Sequence, residues 1–224
     1  MMIHKKMFIV VLLAFAAGSV SGQFNIKIGY NAQYMVFNKT NQLFEQYNKN
    51  TSDLSLKFEK FHFMHGLELG GRLMLGRRTA LDAGFTSLFT TDNGSARNIG
   101  GTIANDEWRI SQRVLSLGLE NYYRIFGFGI QLGNIKTNYL RDFPGAKSKL
   151  SVYTESYYNL RFSLIFHAKT GRNAFALKPY YNYPLSSINI ATVDRSLNAG
   201  GNAPIQENLS SYGIAIVFYN GPQI

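Results

Sequence analysis

The chain has no cysteine among its 224 residues, so neither a disulfide framework nor a lipid-anchoring cysteine cut can be part of it. Beyond residue 17 no apolar run approaches the ~20 residues that a membrane-spanning helix needs. Metal-ligand spacing is missing as well. Of four histidines, His4 lies in the leader, and His62 and His65 stand three apart, hence on opposite faces of any strand. Glycine is plentiful, but no phosphate-cradling or dinucleotide fingerprint sits between a strand and a helix, so no cofactor is expected. Acidic residues are scarce, 13 against 23 basic, for a formal net charge of +10.

Residues 1–22 have the three parts of a secretory signal. A basic start, His4-Lys5-Lys6, precedes an apolar run from Met7 to Ala17, and small residues follow, with Val20 and Gly22 placed before a cut at Gln23. Residues 23–224 then make one domain, a length that all-β barrels commonly reach. Export turns the basic balance away from nucleic acid and towards anionic headgroups of phospholipid or lipopolysaccharide. Without a spanning helix, any membrane-embedded form must be a closed barrel, because open sheet edges cannot face lipid.

What the chain does have is alternation. From Gln23 to Tyr34 the even positions are Phe24, Ile26, Ile28, Tyr30, Ala32 and Tyr34, while the odd ones are polar or glycine. Such period-2 alternation over twelve residues predicts a long strand with one apolar face. Similar segments recur near residues 61–75, 81–89, 110–122, 126–133, 159–167, 175–183 and 211–218, giving eight strands. Pro179 makes the seventh the weakest of them, since proline cannot donate to a ladder. Residues 38–60, 91–107, 136–149 and 184–208 predict four long connections, alternating with three tight turns near Arg77, Arg124 and Gly171. Phe37, Phe61, Phe63 and Phe89 are expected at one rim, and Phe24, Phe126, Phe166, Phe175 and Phe218 at the other, as interfacial girdles.

This pattern resembles the small eight-stranded outer-membrane proteins of Gram-negative bacteria, the OmpA-like and OmpX-like barrels. The resemblance covers residues 23–224, with Phe218 in the place of the closing aromatic. It implies an all-β, antiparallel, up-and-down transmembrane barrel in the outer membrane, with both chain ends periplasmic and the long loops outside. It also implies assembly by the barrel-assembly machinery and contact with outer-membrane lipid and lipopolysaccharide. The loops would be free to bind an extracellular ligand.

The polar faces place Lys27, Arg72, Arg161 and Lys178 in the lumen with Glu68, Asp82 and Glu120. Ions of both signs enclosed in so narrow a space must pair. Folding the second hairpin about Arg77 sets Arg72 opposite Asp82 and His65 opposite Phe89, and heights along strands two and six set Glu68 across from Arg161. The glycines of Gly127, Gly129 and Gly133 relieve crowding in such an interior. In the first long loop Leu43, Phe44 and Tyr47 form a stripe at helical spacing, a helix expected to cover the rim. The stretch from Ala191 to Asn208 is expected to be mobile and exposed.

Barrels resembling the lipid A deacylases use a serine and a histidine on the lipid-facing wall, and here His65 falls diagonal to Ser87. No carboxylate shares that face to orient the histidine, so no catalytic residue is assigned. A non-enzymatic barrel with a closed lumen and a structural or surface-binding role is therefore expected. A lipid-modifying enzyme, a narrow pore and a soluble periplasmic lipid binder are the alternatives.

Overall fold

The computed structural model describes residues 23–51, 54–97, 103–142, 149–170, 173–199 and 203–221. The leader and its cut lie outside the described residues. Eight strands close into one antiparallel barrel: β1 (Gln23–Met35), β2 (Phe63–Met74), β3 (Thr79–Arg97), β4 (Ile103–Tyr123), β5 (Phe126–Asp142), β6 (Leu150–Thr170), β7 (Asn173–Pro184) and β10 (Ser211–Asn220). Each strand pairs with its neighbours in sequence, and β10 closes on β1 from Ile26↔Asn220 to Met35↔Ser211. Closure leaves no edge, which is what allows a sheet to stand in lipid. Between β7 and β10 lie the short ribbon of β8 (Ile188–Asn189) and β9 (Gln206–Glu207) and the helix α2 (Ala191–Asn198); α1 (Asn38–Asn50) follows β1.

The alternation decides which way each side chain points. Ile28 and Leu117 are 52 % and 55 % exposed on the outer wall, while Lys27 and Asp82 are wholly buried inside. This is the inverse of a soluble protein, and it marks a wall whose solvent is hydrocarbon. The turn between β4 and β5 is two residues long, with Arg124 at φ 54, the left-handed backbone that a tight hairpin needs. Pro179 sits inside a full strand: it keeps register with Ile214 of β10, while the ladder to β6 passes from Ser163↔Tyr180 to Phe166↔Leu177 without the rungs between. The missing proline N–H accounts for a gap at that point.

Four expectations are corrected. Most of the second long connection and the first half of the third are strand: β3 and β4 pair up to Arg97↔Ile103, and β5 and β6 up to Arg141↔Leu150, so both hairpins rise well above the apolar belt. Phe37 and Phe61 are not girdle residues. At 1 % and 2 % exposure they are buried in the barrel mouth, because the chain leaves β1 and enters β2 by bending over the opening. Phe24, Phe63, Phe126, Phe166 and Phe175 do stand exposed on the wall. The first part of the stretch expected to be mobile forms α2, with Ala191, Val193 and Leu197 buried, while residues 200–202 lie outside the described residues. Finally, the lumen is polar over only part of its length, for the mouth is apolar.

Candidate functional site: the filled lumen and its cap

The lumen is built in layers. At its centre Lys27 of β1 places its ammonium 2.7 Å from Glu68 of β2 and 2.6 Å from Asp82 of β3. Its row across the sheet runs Lys27–Gly70–Gly84–Ser116, and the two glycines give it room. A Cβ at Gly84 would stand 3.0 Å from the Lys27 nitrogen, and one at Gly70 would be 2.2 Å from a backbone oxygen. Gly129 and Gly133 play the same part further round, where a Cβ would meet Ser163 and Asn159 at 2.5 and 2.3 Å.

Asp82 also accepts from the Gln131 amide at 2.7 Å, and Glu68 from the Asn31 amide at 2.7 Å. Arg161 approaches Glu68 at 3.9 Å, donates to Asn182 at 3.0 Å and lies over the Tyr180 ring. Lys178 pairs with Glu120, which also accepts from the Tyr122 hydroxyl. Arg72 is opposite Asp82 in register, but their side chains diverge. Asp82 turns to Lys27 and Gln131, while Arg72 clasps Asn25 through Nε and Nη2, donates to Tyr122 and stacks on Tyr219 at 3.8 Å. Glu68, Arg161 and Lys178 border a cavity of about 10 Å³, roughly the room of one water.

Towards the mouth an amide and hydroxyl layer follows, in which Gln112 reaches Gln33, Thr137 and Tyr157 at 3.2 Å each. Met64 and Leu88 lie beside Gln33 and Gln112 in this layer, and above it the inward residues become apolar: Met35, Trp108 and Ile110. The cap sits on them. The stripe on α1 turns Leu43, Phe44 and Tyr47 into the opening, and Phe44 meets Phe58, Phe61 and Trp108 edge-on at 5.1, 5.1 and 5.3 Å. From α2, Val193 and Leu197 join the same core.

Polar contacts fasten the cap. The residue before α1 is Phe37, which has no oxygen to cap the helix. Glu207 of β9 supplies one instead, accepting from the Lys39 and Thr40 backbone N–H groups, where a carboxylate complements the helix dipole. Burial pushes the Glu207 carboxyl above its ordinary range, partly offset by those backbone bonds. On the opposite side Asp106 and Arg141 pair at 2.7 Å, and Arg141 continues to the Ser196 carbonyl of α2 at 2.8 Å. Sequence reasoning missed this pair because both residues lie in segments read as loops. Extending the Leu117↔Leu132 register upward would have found Trp108 opposite Arg141, one step from Asp106.

On the outer wall His65 is packed against the rings of Phe89 at 4.6 Å and of Tyr30 and Phe63 at 6.0 Å each. Ser87 belongs to a different row, paired with Leu67 and Arg113.

Fold and wall together define a membrane-spanning, eight-stranded barrel of the outer-membrane class. No family model matches the chain, nor does any curated protein. Among solved structures it is similar to Ail, the attachment invasion locus protein of Yersinia pestis, at 11 % identity over 89 % of this chain and 98 % of that one, with a TM-score of 0.47. Neisserial surface protein A matches at 8 % identity over 88 % and 96 %, TM-score 0.47. The outer membrane protein OprG of Pseudomonas aeruginosa matches at 14 % over 89 % and 93 %, TM-score 0.39.

Proposed function

We propose that this protein is a non-enzymatic outer-membrane barrel that conducts nothing and presents a folded cap to the cell exterior, in a structural or surface-binding role. The observation that carries this reading is a lumen filled twice, by a layer of buried ion pairs and by an apolar core seated in the mouth. An ion crossing it would have to break buried pairs and then pass an apolar plug, and each step costs several kcal/mol. In this reading Lys27, Arg72, Arg161, Lys178, Glu68, Asp82 and Glu120 hold the barrel's register rather than select a solute. The surroundings are outer-membrane lipid and lipopolysaccharide, insertion is by the barrel-assembly machinery after removal of residues 1–22, and any extracellular ligand meets the cap. Recordings in planar bilayers test it. The purified wild type should give no unitary currents; stable, large single-channel openings would overturn the closed lumen in favour of a pore.

A further inference from the structure

The outer wall changes character between two adjacent rows. One row runs Phe85–Leu115–Asn134–Tyr158 across β3, β4, β5 and β6, the last row of the apolar belt towards the cap. The next row up reads Ser87–Arg113–Lys136–Ser156. Arg113 and Lys136 are therefore directly opposite on neighbouring strands, both outward and both exposed. Like charges in that position repel and destabilise a sheet. Among the described residues neither has an ion-pair partner. The outward carboxylates of these two strands, Glu107 and Asp142, lie six residues further up and are engaged by Lys149. A third outward cation, Arg109, stands above the row over the Phe89 ring.

Repulsion tolerated at the edge of the belt, flanked by two hydroxyls and left without a carboxylate, points to an anion supplied from outside the chain. An anion held at that height would carry apolar chains downward along Leu115 and Leu117, which are 62 % and 55 % exposed. We propose that Arg113 and Lys136, with Ser87 and Ser156 beside them, bind the phosphate monoester of a phosphorylated glycolipid in the outer leaflet. Both cations donate charge-assisted hydrogen bonds to the phosphate oxygens, and the acyl chains lie on the belt below. The assignment rests on the membrane orientation given under Proposed function, with the cap outside.

Retention of lipid by the full-length folded barrel in neutral detergent tests it, with diphosphoryl lipid A as the probe and mass spectrometry as the readout. The wild type should hold diphosphoryl lipid A on the order of tenfold more tightly than monophosphoryl lipid A or phosphatidylethanolamine. Lys136→Glu should abolish that preference while raising the barrel's melting temperature in lipid-free detergent, because it replaces the repulsion with a pair to Arg113. A purely structural role would not separate those two readouts. Equal retention by wild type and Lys136→Glu, or no preference for the diphosphoryl form, would overturn the site while leaving the folded barrel standing. Displacement by equimolar inorganic phosphate would reassign it to free phosphate and overturn the lipid assignment. A wild type without heat-modifiable migration on a gel would instead sink the barrel-in-membrane reading on which the site depends.

Discussion

The wall and the cap of this protein obey opposite burial rules within one chain. Along the wall Leu117 and Ile216 are more than half exposed while Lys27 and Asp82 are fully buried; in the cap Phe44, Trp108 and Val193 are buried while Lys39 and Lys49 face outward. The difference is one of solvent. A residue sorted against hydrocarbon turns its apolar face out and must satisfy its ions inside, whereas a residue sorted against water does the reverse. The transition falls on β3 to β6, which run from one regime into the other without interruption, and the row of Arg113 and Lys136 marks it.

The comparison is broken most severely at Lys27. Lys27→Ala leaves both Glu68 and Asp82 buried without their shared cation, and should cost the barrel about 3–5 kcal/mol, read as the urea midpoint of refolding in detergent. Combining Lys27→Met with Glu68→Gln and Asp82→Asn should recover most of that loss, because neither carboxylate is then left as a stranded buried charge and Arg161 keeps the Asn182 oxygen and the Tyr180 ring. In the cap, Phe44→Ala removes a ring packed against Phe58, Phe61 and Trp108 and should cost about 3–4 kcal/mol of cap stability. Trp108 is the chain's one tryptophan and is wholly buried, so its fluorescence reports the cap directly. It should redden in Phe44→Ala while the barrel keeps its heat-modifiable migration. Loss of both together would mean that wall and cap fold as one unit.

A smaller loss is expected on the wall itself. Leu117→Arg sets a charge against lipid near mid-height and should cost about 2–4 kcal/mol of insertion stability, measured by folding into vesicles. The same substitution in a water-facing wall would be mild. The smallest effect belongs to Glu207, whose carboxyl binds a proton more tightly in the folded cap than in the unfolded chain. Its contribution is therefore full below the ordinary glutamate range near pH 4.3 and fades as pH rises through the raised folded value. The Trp108 melting temperature should decline slightly over that window in the wild type, and Glu207→Gln should flatten the decline.

Much of the wall could be read in the sequence because its rule is local. Each strand carries its own alternation, so Phe24 to Tyr34, Leu115 to Leu119 and Tyr212 to Phe218 declared their faces without reference to any partner. Hairpin register followed from the tight turns, and the predicted Arg72↔Asp82 and His65↔Phe89 rungs are the ones observed. Side-chain partners were less legible. Lys27 reaches Asp82 only because Gly70 and Gly84 clear its path, a relation spanning three strands that no single alternation records. The cap was legible only as the stripe Leu43, Phe44 and Tyr47. Phe37, Phe61, Trp108 and Val193 come together through four separate segments, and each in isolation reads as girdle or loop. Asp106 and Arg141 were lost for a related reason: above the belt the outward face turns polar and the inward face mixes Asp106 and Arg141 with Trp108, Ile110 and Tyr139, so the alternation fades and the segment looks like a connection.

Spin labels offer the most direct test of the inside-out wall, since the chain has no native cysteine to interfere. Single Leu115→Cys, Ser116→Cys, Leu117→Cys and Asn138→Cys variants, labelled and folded into vesicles, would be compared for collision with lipid-soluble oxygen and with a water-soluble nickel chelate. Labels at Leu115 and Leu117 should meet oxygen and be shielded from nickel, the one at Ser116 should be shielded from both, and the one at Asn138 should meet nickel. Ready access of nickel to Leu115 and Leu117 would place water against the apolar face and contradict the membrane-spanning barrel.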